Sequence, residues 1–201
     1  VNILNLFPTP VGKFELGRAL TEKEIEFAKS AEKRPNMGNQ SSADNYVLKN
    51  KVFKNLHKDL STFANEYFQQ IYKPRTDVSL YITQSWLNYS EPGQFHHKHA
   101  HPNSFVSGVF YVNADITKDK IYFYKDGYQQ VKLPPTEWNT WNSESWWFEA
   151  GTGILYMFPS SLTHMVEAVT AAETRISLSF NTFLKGNIGD NHSLTELKIE
   201  E

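Results

Sequence analysis

Hydrophobic positions along the chain change their spacing near residue 77, which divides the sequence into a helical part and a β part. Thr21-Glu22-Lys23-Glu24 has the pattern of a capping box, and Leu20 and Ile25 are placed as a hydrophobic staple. A helix is therefore expected to start at Thr21 and to stop before Pro35. Further on, Val52, Phe53, Leu56, Leu60, Phe63, Ala64, Tyr67 and Ile71 recur at three- and four-residue steps, one apolar stripe on a second, longer helix. Pro74 ends it, because proline lacks the amide donor and disfavours helix at the residue before it. Residues 36–47 are polar and rich in Asn and Ser, and read as a loop.

The β pattern is announced early by Val11–Leu16, which alternates after the extended Phe7-Pro8-Thr9-Pro10, and dominates after Asp77. Val78, Leu80 and Ile82 alternate, and Trp86, Leu87 and Tyr89 run into the turn Glu91-Pro92-Gly93. Phe105–Asn113, Ile121–Tyr124, Gln130–Leu133, Gly153–Phe158 and Arg175–Leu184 read as further short strands, and Trp138–Phe148 fits either a strand or a long loop. Two helices followed by many short strands predict an α+β, mainly β, architecture: a jelly-roll or double-stranded β-helix core with both helices on one face. The chain has 201 residues, a length that suits one domain, here read as 1–184 with a polar C-terminal tail at 185–201.

Composition narrows the chemistry. Cysteine is absent, so disulfides and thiolate metal sites are excluded, and a transition metal must be held by imidazole or carboxylate. The formal net charge of -2 offers no basic footprint for nucleic acid. No apolar run approaches the length of a membrane span, and VNILNLFPTP lacks a basic region and a cleavage signature, so a cytoplasmic protein is expected. Oligomeric state is open, and a homodimer is compatible with the sequence.

Four of the seven histidines fall between residues 96 and 101, in GQFHHKHAHPNSFVSGVFY. On a strand His97, His99 and His101 project to one face and His96 to the other. Two imidazoles at that spacing can meet one ion, and His164, just past the apolar run GTGILYMFP, is the natural third ligand. Strand parity allows either His97 with His99 or His99 with His101. His57 and His192 have no visible partners.

Two barrel families share this layout. Gly93-x5-His99-Ala100-His101 and Gly153-x5-Pro159 resemble the cupin motifs, but the glutamate expected after the first is missing and Ser161 stands in place of a glycine of the second. The fuller resemblance is to a group of iron(II)- and 2-oxoglutarate-dependent oxygenases. It rests on Trp86-Leu87-Asn88, His99-Ala100-His101-Pro102, Ser107-Gly108-Val109-Phe110-Tyr111-Val112, Phe158-Pro159 with His164, and Arg175-Ile176-Ser177. It spans about residues 5–185. That resemblance implies iron(II) held by His99, His101 and His164. It further implies 2-oxoglutarate as co-substrate, its far carboxylate on Arg175 and Ser177, and hydroxylation of a small molecule or a protein side chain. His101 stands where most of the superfamily has a carboxylate, so either three histidines hold the metal or a carboxylate such as Glu91, Asp115 or Glu167 comes in from elsewhere. The alternatives are a cupin-type metalloenzyme that does not use 2-oxoglutarate, and a non-catalytic jelly-roll module binding through Trp138, Trp141, Trp146 and Trp147.

Overall fold

The computed structural model describes residues 1–75, 77–127, 131 and 133–200. Helix α1 (Glu22–Ser30) starts at the capping box: Glu24 N donates to Thr21 Oγ1 at 3.2 Å, and Thr21 N donates to Glu24 Oε2 at 2.7 Å. Glu24 also accepts both Nη atoms of Arg18 at 2.9 Å, while Arg18 Nε reaches Asp59 at 3.0 Å and so ties α1 to the second helix. That helix, α2 (Lys54–Tyr72), is entered through two short 3-10 turns and closes on Lys73 in the left-handed region at φ 45°, just before Pro74. Leu56, Leu60, Ala64, Tyr67 and Phe68 form its buried stripe, whereas Val52 and Ile71, at the two ends of the expected stripe, are exposed. No helix among the described residues is long and apolar enough to cross a membrane.

The strands are β1 (Gly12–Glu15), β2 (Lys33–Asn36), β3 (Asn39–Ser42), β4 (Ser79–Ser90), β5 (His96–His99), β6 (Val106–Asn113), β7 (Lys120–Tyr124), β8 (Ser145–Glu149), β9 (Ile154–Pro159), β10 (His164–Val166), β11 (Arg175–Ile188) and β12 (Leu197–Ile199). A large sheet runs β1-β9-β6-β11-β4-β3-β2, with β12 also on β11, and a smaller one runs β5-β10-β7-β8. From β4 to β11 the chain passes back and forth between the two, which is the winding of a double-stranded β-helix. The expected fold is therefore present. The segment expected as a loop at 36–47 instead holds part of the β2–β3 hairpin, and Pro35 fits there because β2 is an edge strand with no neighbour on one side. Of the strand expected at Gln130–Leu133, Gln130 and Lys132 lie outside the described residues, and Val131 and Leu133 are not in a strand. Trp146 and Trp147 lie on β8, Trp138 and Trp141 in the loop before it. At the C-terminal end, β11 runs past residue 184 to Ile188 and is met by β12, so the tail begins as a strand.

β11 is buried on both faces, and its alternation sorts two environments. Ile176, Leu178 and Phe180 join the core beneath the helices, with Leu87, Phe110 and Leu155. Arg175, Ser177, Ser179 and Asn181 take the opposite face, toward the space between the sheets, where Val109, Tyr111, Phe123, Tyr156 and Phe158 form a second core. The small polar side chains there are bonded to each other: Asn88 Nδ2 donates to Ser179 Oγ at 3.0 Å, and Ser107 Oγ donates to Asn181 Oδ1 at 2.9 Å.

On the helix side, Gly108 faces Phe180 across the β6–β11 pair, and a Cβ added to Gly108 would sit 2.3 Å from Phe180 Cζ. Gly108→Ala is expected to destabilise the fold by about 1–3 kcal/mol through overpacking, read as a lower denaturation midpoint with an unchanged slope.

Candidate metal centre

The antiparallel pairing of β5 with β10 sets His99 directly opposite His164. Their ring centroids are 4.4 Å apart. His101 follows the end of β5, held by its own amide, which donates to Ser160 O at 2.9 Å, and its ring lies 4.9 Å from that of His99 and 5.1 Å from that of His164. One ligand nitrogen from each of the three lies within 4.8 Å of the others. Two of the rings are fixed in tautomer and direction. His99 Nδ1 donates to His97 O at 2.7 Å and His164 Nδ1 donates to Leu162 O at 2.9 Å, and because a carbonyl can only accept, the proton sits on Nδ1 and the Nε2 lone pair is left for a metal.

Burial, reinforced by the charge on neighbouring histidines, pushes His164 down to about 3 and His101 to about 4. Burial lowers His99 as well, against the opposing effect of its bond to His97 O. These rings are neutral at physiological pH, the form that binds metal. Unfolded, each would take a proton near 6.5, so below that pH the unfolded state binds more protons than the native one. The metal-stripped protein is expected to lose stability steadily as pH falls from about 6.5 toward 4, measured by denaturant melts across that range.

His96 departs from the expected parity. Between His164 and Val166 the partner on β5 moves from His99 to His96, three residues against two, which is a β-bulge. The extra residue turns the His96 ring back to stack on that of His99 at 4.6 Å and 20°. His97 lies 4.8 Å from His99 by ring centroid, with Nδ1 buried and without a hydrogen-bond partner.

Of the carboxylates considered above, Asp115 accepts from both the amide and the hydroxyl of Thr117, Glu167 meets the Tyr122 hydroxyl, and Glu91 is exposed. Among the described residues, every group of three side chains positioned to hold a metal is all histidine. A buried carboxylate beside Arg175 belongs to Asp119, for which the sequence offered no signal. It is buried just ahead of β7 and accepts from Arg175 Nη1 at 3.1 Å. Both hydrogen bonds of Arg175 leave from Nη1, the second reaching Glu167 O at 3.5 Å, so Nε and Nη2 keep their donors. Ser177 pairs in register with Tyr111 on the neighbouring strand β6 of the large sheet, and the Tyr111 hydroxyl is buried with no partner. Burial raises the Tyr111 hydroxyl far above its ordinary value, so it stays protonated and remains a donor. Tyr111 shares a strand face with Ser107 and Val109, which a period-two reading of Ser107–Val112 would show, although sequence reasoning did not single it out.

A cleft of about 680 Å³, within the usual size range of ligand sites, opens beside His101. Arg34, Asn45, Trp86, Asn103 and Asn181 line it, and the Trp86 ring lies 5.7 Å from that of His101. Trp86 supplies an aromatic wall of this cleft. Tyr89 and Phe110 belong to the helix-side core, and Tyr122 and Tyr124 alternate with Ile121 and Phe123 so that they face outward. The exposed Trp138, Trp141 and Trp147 lie around β8, two strands removed from β5 in the small sheet.

Residues 84–181 match the sequence model of a family described as "Putative 2OG-Fe(II) oxygenase". Over that span the chain is similar to the 2OG-Fe(II) oxygenase family. The matched residues run from β4 to Asn181 on β11 and contain His99, His101, Tyr111, Asp119, His164, Arg175 and Ser177. No curated protein matches it by sequence. Among solved structures it is similar to the non-heme alpha-ketoglutarate-dependent carbocyclase SnoK from nogalamycin biosynthesis, at 11% identity, covering 96% of this chain and 89% of that one, with a TM-score of 0.60. It is also similar to a Pseudomonas putida prolyl-4-hydroxylase, at 15% identity over 86% and 92% of the chains and a TM-score of 0.53. HygX from Streptomyces hygroscopicus, solved with nickel and 2-oxoglutarate bound, aligns at 9% identity over 87% and 82% with a TM-score of 0.55. At these identities the likeness is one of fold.

Proposed function

We propose that the protein is an iron(II)- and 2-oxoglutarate-dependent dioxygenase that hydroxylates a small molecule, with His99, His101 and His164 as metal ligands and Arg175, Ser177 and Tyr111 as the co-substrate's anchor. The observation that carries this reading is one barrel interior holding both halves of the site. Three neutral imidazoles offer lone pairs to a divalent ion, and a buried guanidinium and an unpartnered buried hydroxyl offer donors to an anion. A hydroxyl so buried with nothing to bond is costly unless a ligand completes it.

When bound, iron(II) would activate molecular oxygen, the oxidant, with 2-oxoglutarate as the co-reductant, one oxygen atom ending in succinate as carbon dioxide is lost and the other in the hydroxylated substrate. The chain's own residues orient and insulate. His99 and His164 are locked by their carbonyl bonds with Nε2 presented inward. The hydrogen bonds of Arg175 among the described residues engage Nη1, which leaves Nε and Nη2 to meet a carboxylate as a planar fork, with the unpartnered Tyr111 hydroxyl as a further donor nearby.

Asp119 acts as a positioning residue: it holds Nη1 and leaves the other donors of Arg175 available. It also restores charge balance. Three imidazoles leave the ion's two positive charges uncompensated by its ligands, and the two carboxylates of 2-oxoglutarate offset them. Asp119 then offsets Arg175, so the charges at the anchor end of the site cancel as well. The substrate approaches through the cleft beside His101, whose Asn-rich wall and Arg34 favour a polar molecule.

Anaerobic addition of iron(II) and 2-oxoglutarate to the metal-free protein is expected to produce a visible charge-transfer band, and admission of oxygen to release succinate. A protein that gives neither, after verified iron loading, would contradict the proposal. A cupin-type reaction without 2-oxoglutarate would give bound iron indifferent to 2-oxoglutarate.

A further inference from the structure

His99 belongs to two groups of convergent imidazoles. One is His99, His101 and His164, and the other is His96, His97 and His99, whose ligand nitrogens also lie within 4.8 Å of one another. The bulge in β5 creates the second group by turning His96 onto His99. His97 adds the independent sign that this group takes a ligand, since its Nδ1 is buried with nothing to bond. No resident cation fills the position: Lys98, between them in sequence, sends its ammonium out over the Tyr124 ring at 3.8 Å.

The two groups compete. His99 Nδ1 is committed to His97 O at 2.7 Å, so one lone pair, on Nε2, serves both. We propose that His96, His97 and His99 form a second divalent-cation position, exclusive with the first, at which an ion of the zinc class draws His99 away from His101 and His164 and switches the site off. Both sets are all-imidazole, and by the ordinary affinity order such a set holds zinc, nickel or copper more tightly than iron(II), so an ion of that class competes for His99 against the iron site. That the second position binds an ion stands on geometry alone; that binding there inhibits rests on the oxygenase reading given above.

The test uses the full chain and zinc. By calorimetry the wild type is expected to bind one zinc ion tightly. His101→Gln/His164→Gln and His96→Gln/His97→Gln should each retain one, and His99→Gln should retain none. Binding of two tight ions by the wild type would overturn the exclusivity, and a folded His101→Gln/His164→Gln protein no better than His99→Gln would overturn the site. Should that double variant not fold, long-range proton–nitrogen spectra of the wild type decide. At one equivalent of zinc the ring nitrogens of His96 and His97 are expected to shift together with those of His99, and a response confined to His99, His101 and His164 would overturn the proposal.

In the iron-loaded enzyme, zinc should inhibit succinate formation at least about tenfold less effectively in His96→Gln/His97→Gln, since even outer partners of a metal are worth about 10–100-fold in affinity. Equal sensitivity would mean that zinc only displaces iron from the first group. A chain that forms no succinate at all would sink the oxygenase reading while leaving the zinc result standing.

Discussion

Replacing Arg175 with leucine is expected to cost about 3–5 kcal/mol of folding stability, because it leaves Asp119 buried and unpaired. Both groups are almost fully buried, at 4% and 2% side-chain exposure, so water cannot take over the lost partner. Denaturant melts of Arg175→Leu, Asp119→Asn and the double variant form a cycle. The double variant should recover most of the loss, because removing both charges leaves nothing to solvate. This separates the structural role of Arg175 from its role toward 2-oxoglutarate. The stable double variant should still bind metal but no longer show the visible band with 2-oxoglutarate. Arg175→Lys keeps the charge and loses the fork, and its apparent affinity for 2-oxoglutarate should drop about 10–100-fold, the worth of one charge-assisted hydrogen bond. If the double variant binds 2-oxoglutarate like the wild type, Arg175 is a structural ion-pair partner and the anchor lies elsewhere.

His99→Ala is expected to abolish metal binding and turnover together. Its Nε2 is the shared lone pair of both imidazole groups, so no remaining set of three can form. The drop in affinity should exceed the about 10–100-fold that even outer partners of a metal are worth. Iron content after anaerobic loading and the succinate assay give the two readings. His192→Ala, on the exposed C-terminal segment, is the matched control and should behave as wild type in both.

Much of this was legible because the relevant patterns are periodic. The capping box at Thr21 and the α2 stripe are local signals, and both elements begin and end within a few residues of where the residues place them. The series of short strands after two helices pointed to a jelly-roll barrel. Three features were not legible, each for a physical reason. The orientation of His96 depends on a bulge, which breaks parity without leaving a mark in HHKH. Asp119 sits in the charged turn DITKDK, where nothing distinguishes a buried acid from a solvated one until β11 brings Arg175 to it. The hairpin at Lys33–Ser42 is polar on both faces and its β2 strand lies at a sheet edge, so it lacks the alternation by which a strand is recognised.

The alternation of β11 has a consequence for redesign. Ile176, Leu178 and Phe180 answer only to the helices, and Ser177, Ser179 and Asn181 only to the chamber. One strand therefore carries two independent texts, interleaved letter by letter. The chamber's small polar set can be rewritten to admit a differently shaped guest while the letters that hold the helices stay untouched. A barrel built this way can change its chemistry's clientele without renegotiating its fold.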